Sequence, residues 1–128
     1  MRNLDRRHAL QLALGATAGV AFPAAAHHGW GWAEDQQSEL KGTIQSISMA
    51  PPHPSLNVTT ADGVWWVELG NPNLTERSGF KAATAKAGDE VTVLGNKHKD
   101  KTKKHMKAVR ITIAGKNYDM YPERIRTN

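Results

Sequence analysis

SLNVTTADGVWWVELGNPNLTERSG, residues 55–79, is the stretch on which the fold turns. Leu56 and Val58 alternate with polar residues, as in a strand with one buried face. Asp62-Gly63 follows Ala61 and supplies the positive φ of a tight hairpin turn. Val64 to Leu69 is then the returning strand. After Gly70 the period changes. Asn71 is placed as an N-cap, Pro72 as the first helical residue and Gly79 as the stop, so a single short helix is predicted.

Outward from this stretch the chain continues to read as strands. Leu40, Gly42 and Ile44 alternate over 39–49, and the step to Ile47 breaks the period of two, which predicts a bulge. Pro51-Pro52-His53-Pro54 must be a loop, because proline has no amide donor for a sheet. Gly88-Asp89 turns into a strand at 90–95, and 106–113 forms the last one. Lys97 to Lys107 reads as a solvated hairpin loop, and 117–128 as a C-terminal tail. The order is three strands, a short helix and two strands. That is the order of a mainly β, five-stranded OB-like barrel with one helix between strands 3 and 4. A small open sandwich fits the same order nearly as well.

The N-terminus carries a different signal. Arg2, Arg6 and Arg7 precede an apolar run from Ala9 to Phe22, and Pro23-Ala24-Ala25-Ala26 offers small residues to a peptidase. Residues 1–26 are therefore expected to be a cleaved signal peptide, and the protein to be periplasmic. Arg6-Arg7 fits a twin-arginine signal, and an ordinary secretory signal tolerates the pair as well. The expected organisation is 1–26 signal, 27–37 N-terminal arm, 38–116 barrel and 117–128 tail. The apolar run is too short for a good membrane span, so no stable span is expected after cleavage.

Composition narrows the function. Losing residues 1–26 takes the net charge from +5 to +3, too mild for a nucleic-acid footprint. There is no cysteine, which excludes disulfides, thiolate metal sites and cysteine nucleophiles. No nucleophile elbow or zinc-protease helix occurs, so no enzyme is expected.

The histidines point to metal. Cleavage after Ala26 would free the amine of His27, which with its own ring and His28 can chelate an ion. Cleavage after Ala25 would place His28 third, the arrangement that wraps Cu(II) in a plane of nitrogens. His53 sits on a stiff proline loop and loses little entropy on binding a ligand. His27, His28 and His53 are thus the candidate ligands, with copper the expected metal; the alternative for His53 is a purely structural ring. His105 and Met106 are neighbours on a strand and should face opposite ways. His98 lies among lysines that repel a cation.

Trp65 and Trp66 are also neighbours, so one should enter the core while the other faces out. The outward one is either covered by Trp30 and Trp32 of the arm or free to stack on a ligand. The expected function is a periplasmic, non-enzymatic binding protein, with copper held by the three histidines. The alternative is a metal-independent module that binds a protein or small molecule on the barrel face.

Taken together, the His27-His28 start, Lys41-Gly42-Thr43-Ile44, Pro52-His53-Pro54, Trp66-Val67-Glu68-Leu69-Gly70-Asn71-Pro72-Asn73, Arg77-Ser78-Gly79-Phe80 and the Gly88-to-Gly95 strand resemble a family of small exported bacterial proteins classed as a domain of unknown function. That family pattern has Asn-Pro-His in the proline loop, where this chain has Pro51-Pro52-His53. The resemblance implies an OB-like barrel and a periplasmic location, and no established activity.

Overall fold

A computed structural model describes residues 29–126. They comprise a short turn over 29–31 and a separate barrel unit from Trp32 onward. His27, His28 and the expected signal peptide lie outside the described residues.

Six strands form one sheet: β1 (Ala33–Ser48), β2 (Ser55–Thr60), β3 (Gly63–Glu68), β4 (Glu90–His98), β5 (His105–Ile113) and β6 (Lys116–Asp119). The order is β3-β2-β1-β4-β5-β6, and β3 also pairs with β5. That last pairing is parallel and closes the first five strands into a ring, which leaves few free edges. The helix α1 (Pro72–Arg77) falls between β3 and β4. The barrel is therefore five-stranded, mainly β and OB-like, with β6 added as a hairpin on β5.

The alternation in the sequence sorts residues as expected. Leu56, Val58, Val67, Val93, Met106 and Ile111 are fully buried. The bulge in β1 lies between Ile44 and Ser46, where its partner β2 slips register. Gly42, just before the bulge, lets β2 approach closely: an ideal Cβ at this position would sit 2.3 Å from the Thr59 carbonyl oxygen. On the opposite seam, a Cβ at Gly95 would sit 2.2 Å from the Lys107 carbonyl oxygen. The α1 cap also forms as read, with Asn71 Oδ1 accepting from the Leu74 amide at 2.9 Å and Gly79 at φ +93°.

Three segments are more ordered than their composition suggests. β1 starts at Ala33, well before the apolar alternation. Ala33 is buried in the core, and the polar residues after it are held by their backbone: Asn96 Nδ2 donates to the carbonyls of Glu34 and Asp35. The lysine-rich loop shrinks to 99–104, since β4 runs to His98 and β5 starts at His105. The segment read as a tail supplies β6 and a 3-10 turn, Pro122–Arg124, and buries Tyr118, Met120 and Tyr121.

Candidate functional site: a ring ladder on the outer barrel face

Register and the two-residue repeat of strands determine which side chains share the outer face. Trp66 pairs with Asn57 of β2 on one side and His105 of β5 on the other. Glu68 pairs likewise with Ser55 and Lys107. Trp65 and Val67 point into the core; Trp66 points out and is 45% exposed.

The outward indole is not isolated. The His105 ring lies 4.2 Å from Trp66 by centroid, within 18° of parallel. Trp32 lies 3.9 Å from His105, within 14° of parallel. Two indoles each in such contact with one imidazole place His105 between them. His98 flanks Trp32 and His105, 5.3 Å from Trp32 and 5.7 Å from His105. The stacking order is Trp32, His105, Trp66. Each stacked contact packs one flat ring against the next. Trp66 is thus braced on one side and open to solvent on the other. Trp32 covers His105, whereas Trp66 remains accessible.

Beneath the ladder lies a partly buried charged group. Glu68 Oε2 is 3.4 Å from Lys107 Nζ, and Glu68 Oε1 is 3.9 Å from His105 Nε2. Lys107 is 1% exposed, and its ammonium lies 5.8 Å from the centre of the Tyr121 ring. Burial pulls the Lys107 pKa down, opposed by Glu68. Burial likewise lowers the His105 pKa below its ordinary 6.5; Glu68 works against this, and His98, Lys107 and Lys103 add to it. His105 is therefore a neutral ring at neutral pH, as suits an imidazole packed between two indoles. Burial raises the Tyr121 phenol.

Of the three metal candidates, only His53 lies among the described residues. His53 lies in the proline loop between β1 and β2, half-buried, beyond the cis Pro51-Pro52 bond. Its Nδ1 is buried with no hydrogen-bond partner. His98 Nδ1 accepts a 2.9 Å bond from the Asp100 amide, which puts its proton on Nε2 and leaves no free lone pair for a metal. Among the described residues no group of three His, Cys, Asp or Glu side chains is arranged to hold an ion.

Sequence reasoning singled out Trp66 and Trp32 but missed His105, Glu68 and Lys107 as their partners. Lys107 looked like a loop lysine and is instead buried, because the parallel seam sets it opposite Glu68. The usable signal was the alternation around Met106, which puts His105 and Lys107 on the same outward face as each other.

The closed ring with its helix between strands 3 and 4 defines an OB-like β-barrel domain. The family of unknown function DUF6152 matches residues 16–107, and the chain belongs to that family. No curated protein matches the sequence. Among solved structures, a chain of the S. pombe Stn1–Ten1 complex is similar, with a TM-score of 0.51 and 16% identity. The match covers 62% of this chain and 59% of that one. At that identity the likeness concerns the fold alone.

Proposed function

We propose that this protein is a non-enzymatic binding protein of the bacterial periplasm, exported on a leader ending near Ala26, and that it binds through the outer barrel face around Trp66. One observation carries the proposal: a large apolar ring stands 45% exposed while its other side is braced by His105. A solvent-facing tryptophan packed on one side against a neighbouring ring has less freedom left to lose on binding. Val64, two residues earlier on the same face, is 43% exposed and widens the apolar area. A photo-crosslinking residue at Thr59 tests this in cells. Adducts are expected at Thr59, absent with the same residue at Lys86, and lost in the Trp66→Ala background. Adducts independent of Trp66 would contradict it. The mass of the protein from a periplasmic extract tests export: a start near His27 is expected, and a retained leader would refute it.

A second function, copper binding, is favoured by the buried and unpartnered Nδ1 of His53. His27 and His28 would chelate through the freed amine and their imidazoles, and His53 offers a further imidazole whose Nδ1 has no hydrogen-bond partner. Cu(II) titration of the processed protein, followed by spin resonance, is expected to show nitrogen coordination. A residue added before His27 should abolish the amine's share of it, and His53→Ala separately tests the loop histidine. Absence of any nitrogen-coordinated signal would eliminate this function.

A further inference from the structure

We infer that the ligand of the outer face is an uncharged saccharide, its sugar ring seated against Trp66; this rests on the barrel-face binding proposed above and adds the ligand class. The side chains around the indole carry the inference. Ser46, Asn57 and Trp66 lie side by side across β1, β2 and β3, and Thr43, Thr59 and Val64 form the adjacent row. None of the six is buried. Four offer hydroxyls or an amide, two are apolar, and none is charged. Asn57 Nδ2 donates to Ser46 Oγ at 2.9 Å, which orients the amide.

This combination matches the two surfaces of a pyranose. Its C–H groups are weakly positive and pack on the electron-rich face of an indole. Its hydroxyls both donate and accept, as Ser, Thr and Asn side chains do. Charge separates this ligand from a nucleic acid. Phosphate contacts need lysine or arginine beside the stacking ring. Along this face the flanking charged groups are Glu90, which pairs with Thr43, Lys41, two residues before Thr43 on β1, and Glu68, whose carboxylate is engaged by Lys107; neither register partner of Trp66, Asn57 or His105, is a lysine or arginine. The lysines cluster instead in the 99–104 loop, where Lys101 pairs with Glu34. Lys104 lies over Gly63 at the hairpin turn, and its charge acts on Asp62.

The test uses the full processed chain, nitrogen-labelled, titrated with three probes: the N-acetylglucosamine tetramer, a short single-stranded DNA and an aromatic-rich peptide. The sugar is expected to shift the Trp66 indole N–H and the Asn57 side-chain amide. Trp66→Ala should weaken it about ten-fold or more. Thr59→Arg, an exposed change that leaves the ladder intact, should weaken it as well and guards against misfolding of the first variant. Shifts at Trp66 from DNA or peptide, with none from sugar, would overturn the saccharide and leave the barrel-face proposal standing. Silence at Trp66 with all three probes would overturn both.

Discussion

Replacing His105 with alanine removes the middle ring of the ladder and should expose how much that ladder contributes. Two stacks are lost, one at 3.9 Å and one at 4.2 Å. An aromatic pair is worth about 0.5–1.5 kcal/mol beyond the area it buries, so the two together amount to about 1–3 kcal/mol. One term opposes this. His105 Nε2 is buried without a hydrogen bond, and removing it relieves a desolvation cost of about 1 kcal/mol. The net expectation for His105→Ala is a loss of up to about 2 kcal/mol. For a domain of this size that is a fall in Tm of up to roughly 16 °C. His105→Phe separates the two terms, because it keeps a flat ring and discards the buried nitrogen; it should be at least as stable as the wild type at neutral pH. Urea unfolding followed by circular dichroism reads both variants. An alanine variant more stable than the wild type, or a phenylalanine variant weaker than the alanine one, would refute the ladder as a stabilising element.

Three further outcomes follow from the same contacts. Burial lowers the folded-state pKa of His105 below 6.5, so the unfolded chain takes up more protons as pH falls through and below that value. Stability should therefore decline on acidification, and the urea midpoint of His105→Phe should fall less steeply between about pH 7 and about pH 5. Gly95→Ala drives a Cβ to within 2.2 Å of the Lys107 carbonyl oxygen; it should cost about 1–3 kcal/mol or more, seen as a lowered Tm or loss of soluble protein. Glu68→Ala removes the carboxylate facing Lys107 and should cost about 3 kcal/mol, whereas Glu68→Leu combined with Lys107→Met should recover most of it. A double-mutant cycle by urea unfolding checks this, and additive losses would count against the pair.

The barrel was legible in the sequence because its signals are local. Asp62-Gly63 marks the hairpin, Asn71-Pro72 opens the helix, and Leu56, Val58, Val67 and Val93 alternate into a common core. The split between Trp65 and Trp66 follows from the two-residue repeat of any strand. The ladder was not legible, since it depends on the register between β3 and β5. That pairing joins residues about forty positions apart, and no neighbour-to-neighbour pattern encodes it. Lys107 misled for the same reason: surrounded by lysines in sequence, it is surrounded by Glu68 and Tyr121 in space. The early start of β1 was hidden because Glu34 and Asp35 are held by their carbonyls, and backbone capture leaves no trace in hydropathy. His53 was found for its proline neighbours, and its buried, unpartnered Nδ1 keeps it as a donor to be tested.

The claim on which the rest depends is that His105 braces Trp66 from behind while the indole's other side meets solvent. Proton NMR of the histidine rings reads this directly, because ring currents from two flanking indoles act on the same imidazole. The His105 ring protons should resonate well upfield of those of His53, and should move back toward ordinary positions in both Trp32→Ala and Trp66→Ala. His105 protons at ordinary positions in the wild-type protein would contradict the brace.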